Sequence, residues 1–138
     1  MTLAFLLGNF DQSLTKYVDI RLNFMNIHQP IIVNVSFPDK DTAQLIAKQL
    51  IEKKLIACAQ IFAIESMYQW QGQLENSQEF VMQAKTIHTL WKAIQDHVKA
   101  SHPYDVPEII ATPMIEVEEH YFQWMLSELG FTGQQLYV

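Results

Sequence analysis

Two long β-rich runs, Leu55 to Trp70 and Leu74 to Thr86, flank Gln71-Gly72-Gln73. This reads as a hairpin, with Gly72 supplying the permissive backbone of a tight turn. Both strands exceed the usual five or six residues. A chain of 138 residues makes one domain, and a domain of that size has no core large enough to bury the outer half of such a ribbon. The ribbon's unpaired edges invite pairing with another chain. Homo-oligomerisation is therefore a physical expectation.

The elements around the hairpin follow in a clear order. Ile31 to Phe37 is a short β-rich run ended by Pro38, hence a strand. Asp39 or Asp41 can cap the next segment, where Ala43, Ile46, Ala47, Leu50 and Ile51 recur at helical spacing. After the hairpin, Thr89 to about Ala100 reads as a helix with Leu90, Trp91, Ile94 and Val98 on its apolar side. Ile109 to Thr112 is a strand stopped by Pro113, and Glu118 to Leu129 a last helix ended by Gly130. The order β-α-β-β-α-β plus a helix predicts an α+β, ferredoxin-like antiparallel sheet with a long central hairpin and an extra C-terminal helix. Two helices cover one face of that sheet, and the other still needs covering.

The domain spans residues 30–130, with a short tail at 131–138. Residues 1–29 lack a sustained period and read as an N-terminal extension. Two readings stand for it: a gene-model extension ahead of a natural start at Met25, or an arm ordered against the domain or a neighbour.

The net charge of -6 and a single arginine, Arg21, argue against nucleic acid as a partner, because phosphate binding needs clustered basic residues. One cysteine, Cys58, permits no internal disulfide and suits a reducing compartment. No apolar run approaches the roughly 18 residues that span a bilayer. A cytoplasmic protein without a membrane partner is the expectation. No phosphate loop, nucleophile elbow or closely spaced metal-ligand pair is present, so no enzyme and no organic cofactor are expected.

The chemistry-bearing residues gather at Ser101-His102-Pro103-Tyr104-Asp105-Val106-Pro107-Glu108-Ile109-Ile110. Each proline pushes the residue before it towards extended geometry, so His102 and Val106 sit on a stiffened connector. His102 reads as a metal ligand or as a local hydrogen-bonding group. Cys58 offers a soft thiolate, set against the usual burial of free cysteine. Glu108 can serve as a hard ligand or as an ion-pair partner of Lys85. Tyr68 and Trp70 share one face of the hairpin, and with Tyr104 and Trp124 they can wall a ligand pocket or pack an interface. Lys85 there suits an anionic ligand. His88, His97 and His120 read as solvated or locally bonded, and His28 lies in the N-terminal extension.

The connector resembles the His-Pro-Tyr-x-x-Pro-Glu-Ile signature of the CutA divalent-cation tolerance family. Phe37-Pro38-Asp39, Lys54-Leu55-Ile56-Ala57-Cys58-Ala59, Tyr68-Gln69-Trp70-Gln71-Gly72, Lys85-Thr86 and Tyr121-Phe122-Gln123-Trp124 extend the resemblance over about residues 30–129. It implies a compact homotrimer like that of the PII signalling proteins, and a role in the response to copper and other divalent cations. It also leaves two alternatives: a PII-like sensor of a small anionic ligand held between subunits, or a structural trimer organising a protein partner. Copper-associated members can offer a cysteine on the first strand and a second histidine before the Pro-Tyr, where this chain has Val35 and Ser101. Phe62-Ala63-Ile64 stands where a Pro-Gly break is common, which implies an absent or reshaped bulge.

Overall fold

The computed structural model describes residues 12–16, a short helical piece, and residues 28–131. The remainder of the predicted extension, Met25 included, and residues 132–138 of the tail lie outside the described residues. The elements are β1 (Pro30–Phe37), α1 (Lys40–Glu52), β2 (Cys58–Trp70), β3 (Gln73–Ile87), a 3-10 turn (His88–Leu90), α2 (Trp91–Ser101), β4 (Ile109–Pro113) and α3 (Glu119–Glu128). They form an α+β domain around one four-stranded sheet of order β2-β3-β1-β4, antiparallel at every pairing.

Period-two alternation decides which side of each strand is buried. Ile31, Val33, Val35 and Phe37 of β1 and Met82 and Ala84 of β3 meet Ala43, Ile46, Ala47 and Leu50 of α1 and Ile94 and Val98 of α2 in one core. Val35 is thus a core residue with no access to solvent. Asp39 caps α1, its Oδ1 accepting the Thr42 N–H at 2.7 Å. That bond satisfies one of the helix's orphan donors.

The opposite face is covered only at one end. Ile87, out of phase with Met82 and Ala84, joins Ala57 and the α3 residues Met125, Leu126 and Leu129 in a second cluster. Beyond it this face stays open, and Phe62 and Ile110 are 45% and 47% exposed. The buried Oδ1 of Asn34, on the same face, has no partner among the described residues.

Two boundaries differ from the sequence reading. β2 begins at Cys58 rather than Leu55, because the chain leaves α1 through Lys54 at φ 58. This left-handed step holds Leu55 against the helix end, its N–H on the Leu50 carbonyl at 2.9 Å. The hairpin loop is the two-residue pair Gln71-Gly72, with φ 50 and 78, the positive pair a tight hairpin requires. Pairing runs without a slip from Cys58↔Lys85 to Trp70↔Gln73, with no bulge at Phe62-Ala63-Ile64.

β1 stops pairing at Phe37↔Phe80, since Pro38 cannot continue the ladder. Ile64–Trp70 and Gln73–Glu79 therefore project past the sheet as a bare two-stranded ribbon, about 20 Å long at the usual rise per residue. Where it leaves the sheet, the 103–108 connector passes alongside. No helix among the described residues is long and apolar enough to cross a membrane.

Candidate functional site

The two-residue turn sets Tyr68 opposite Glu75 and Ile64 opposite Glu79. Side chains of paired residues share a face, so Ser66, Tyr68, Trp70, Glu75 and Glu79 all project from the side of the sheet that α1 and α2 leave free. There the ribbon and the connector enclose a cleft of about 660 Å³. Its walls include Tyr68, Trp70 and Tyr104, and its charged groups are Glu75, Glu79, Asp105 and Glu108. No lysine or arginine lines it among the described residues. Four carboxylates on one concave, partly desolvated surface make a negative potential that draws cations and repels anions.

A chain of hydrogen bonds fixes this wall. The Tyr104 N–H donates to His102 Nδ1 at 3.0 Å. An accepting Nδ1 places the imidazole proton on Nε2, which donates to the Ser36 carbonyl at 2.7 Å. The ring also stacks on Phe37, centroids 4.8 Å apart and 20° between planes. Ser36 Oγ donates to Glu108 Oε2 at 3.2 Å, and the Tyr104 hydroxyl donates to Glu79 Oε2 at 3.1 Å. Burial and the Glu79 carboxylate push the Tyr104 phenol up to about 12, so it stays a donor at neutral pH. The proline-stiffened connector thus delivers His102 as a fastener with both nitrogens in use.

The predicted metal candidates are not brought together. Among the described residues no three His, Cys, Asp or Glu side chains form a group able to hold a metal ion. His102 is engaged as above, and Glu108 lines the cleft. Cys58 lies at the other end of the sheet, its Sγ 3.5 Å from the Tyr121 hydroxyl. Burial and this thiol contact raise the Tyr121 phenol to about 12.

The predicted aromatic pocket divides the same way. Tyr68, Trp70 and Tyr104 meet in the cleft, while Trp124 packs at a tilt against Tyr121, centroids 5.4 Å apart and 43° between planes. The expected Glu108–Lys85 ion pair does not form within the chain. Lys85 pairs across the sheet with Cys58 and Ile32, and its Nζ donates to Gln60 Oε1 at 2.7 Å. Ile32 is four residues along β1 from Ser36, which puts Lys85 about 13 Å from the Glu108 end. His97, expected to be solvated or locally bonded, instead reaches across to the end of α1, Nε2 to Gln49 Oε1 at 2.9 Å and Nδ1 to Lys53 Nζ at 3.1 Å.

Sequence reasoning missed Ser36, Glu75, Glu79 and Asp105. The signal was the period-two series through β3, but a three-residue turn at Gln71-Gly72-Gln73 puts Glu79 on the wrong face. The correct register needs the two-residue loop.

Residues 31–128 match the family described as CutA1 divalent ion tolerance protein. The divalent-cation tolerance protein CutA of Pyrococcus horikoshii is 38% identical over 98 residues, 71% of this chain and 96% of that protein. The solved structure of the periplasmic divalent cation tolerance protein CutA of Archaeoglobus fulgidus superposes with a TM-score of 0.71 at 35% identity, covering 72% of this chain and 98% of that one. Protein CutA, chloroplastic, of Arabidopsis thaliana is 35% identical over 96 residues, 69% of this chain and 53% of that protein. The chloroplastic and periplasmic relatives overturn the cytoplasmic expectation. A single cysteine and the lack of an apolar span are compatible with any of these compartments and select none. Because the match takes in the sheet, all three helices and the cleft, the chain belongs to the CutA1 divalent ion tolerance protein family.

Proposed function

We propose that this protein acts in divalent-cation tolerance, as a ferredoxin-like homotrimer that takes cations in the acidic cleft between ribbon and connector. The observation that carries the reading is the sign of the cleft: four carboxylates and no basic side chain. Carboxylate oxygens are hard donors and suit hydrated divalent ions. Glu79 and Glu108, each tethered through one oxygen to Tyr104 or Ser36, are the held anionic groups. Copper calls for softer donors. His102 and Cys58 are occupied and far apart in this fold, so inner-sphere copper binding draws on groups from more than one protomer.

The trimer reading is supported by the bare edges of the ribbon and by Phe62, Ile110 and the partnerless Asn34 Oδ1 on the open face. Within one chain Lys85 lies outside the aromatic cleft and an anion there would meet four carboxylates, which favours the cation reading over an anionic ligand held between subunits.

Calorimetric titration with Mn(II) and Cu(II) tests the function. The wild type is expected to bind at low ionic strength, and the Glu79→Gln/Glu108→Gln variant to lose at least about tenfold in affinity. Equal affinity in the two proteins would remove the cleft from the mechanism.

A further inference from the structure

We propose that Lys53 is a site of covalent acylation, its ε-amino group taking the acyl group of a thioester with His97 as the base. The site lies in the α1–α2 layer, on the side of the sheet away from the open face. The inference therefore goes beyond the cation reading and does not depend on it.

Gln49 and Lys53 stand one turn apart at the end of α1 and share a face. Ile94 and Val98 hold α2 in the core with Ile46 and Leu50, which brings His97, the residue before Val98, to that face. Lys53 Nζ lies 3.1 Å from His97 Nδ1, and His97 Nε2 lies 2.9 Å from Gln49 Oε1. An ammonium has only protons to give, so Nδ1 accepts, and the ring proton sits on Nε2 facing the Gln49 carbonyl oxygen. Amine, imidazole and an orienting acceptor form a connected series, the arrangement that activates a nucleophile. Burial and the Lys53 charge lower the His97 pKa, so the imidazole is a free base at neutral pH. Lys48 and Lys92 are held instead by the carboxylates of Glu52 and Asp96, which stabilise the ammonium and are far weaker bases.

Lys53 is exposed, so a thioester reaches it from solvent. The amine, having released one proton to water, attacks the carbonyl carbon. A C–N bond forms, and the adduct carries an ammonium and an oxyanion. That ammonium is much more acidic than a free lysine, so His97 Nδ1 takes one of its protons. The oxyanion collapses, the C–S bond breaks, and the imidazolium returns the proton to the departing thiolate. The products are an amide at Lys53, a thiol and the one proton first released, with no change of oxidation state.

The test is site-resolved mass spectrometry of the full chain incubated with S-acetyl-N-acetylcysteamine, a neutral acetyl thioester, near neutral pH. The internal reference is Lys99, exposed on α2 and without an ion pair among the described residues. Lys53 should be acetylated at least about tenfold faster than Lys99, the low end of what a positioned base contributes. His97→Gln keeps a hydrogen-bonding side chain but no base, and should bring Lys53 to within about threefold of Lys99 while Lys99 is unchanged. Gln49→Ala should slow Lys53 as well, because the ring loses its orienting acceptor, and Gln49→Glu, which still accepts the Nε2 proton, should restore the rate. Equal rates at Lys53 and Lys99 in the wild type would overturn the inference. So would an undiminished Lys53 rate in either His97→Gln or Gln49→Ala.

Discussion

Replacing His102 with alanine separates a fastener from a metal ligand. The ring's Nε2–H serves the carbonyl of Ser36, a residue only 5% exposed. Without it that carbonyl stays buried and unpaired, at a cost of about 1–3 kcal/mol. The lost stacking on Phe37 adds about 0.5–1.5 kcal/mol. The Tyr104 N–H is near solvent, so water can replace its bond and its share is small. Together these give about 2–4 kcal/mol of destabilisation. Urea denaturation at one protein concentration, in buffer containing a chelator, measures it. His102→Gln, whose amide can still donate, should recover part of the loss. A His102→Ala protein within about 0.5 kcal/mol of wild type under chelation, but deficient in metal binding, would refute the reasoning and restore the imidazole as a ligand.

Four further outcomes follow from the same structure. Glu118 caps α3 by accepting the N–H groups of His120 and Tyr121, which with the His120 ring lowers its carboxyl from 4.5 to about 2. A depressed folded-state value stabilises above the unfolded value and is lost as pH falls towards the folded one. The melting-temperature gap between wild type and Glu118→Ala should therefore be full at pH 6 and close between about pH 4.5 and 2. Leu50→Ala, in the main core with no solvent access, should cost about 2–5 kcal/mol in chemical denaturation. Gly72→Ala meets no neighbouring atom but keeps φ 78, so it should cost about 1–2 kcal/mol through backbone strain alone. Light scattering on the wild type should give three times the 16.0 kDa chain mass; a monomer would contradict the account of the open sheet face.

Much of the architecture was legible because local signals agreed with one another. Pro38 ends β1 by the loss of a donor, Asp39 caps α1 through a short carboxylate, and Gly130, at φ 87, ends α3. The connector was legible as a rigid segment, though its histidine proved to be held at both nitrogens. The cleft was half legible. Tyr68, Trp70 and Tyr104 stood out as aromatics, whereas Glu75 and Glu79 join them only through a pairing register that one turn residue decides. Lys85 and Trp124 were grouped with them because residue types alone carry no distance along a sheet. Residue type alone leaves Cys58 either buried or liganding, and the fold makes it a half-buried neighbour of Tyr121.

The proposed cation site can be tested directly through the protein's three tryptophans. Trp70 lines the acidic cleft, Trp91 begins α2, and Trp124 packs at a tilt against Tyr121 beside Cys58. Substoichiometric Mn(II) added to labelled protein broadens the indole N–H resonance nearest the bound ion. The account predicts that the Trp70 signal fades first and that Glu79→Gln/Glu108→Gln abolishes this order. Earlier loss of the Trp124 signal would place the cation at the Cys58 end and contradict the cleft as its site.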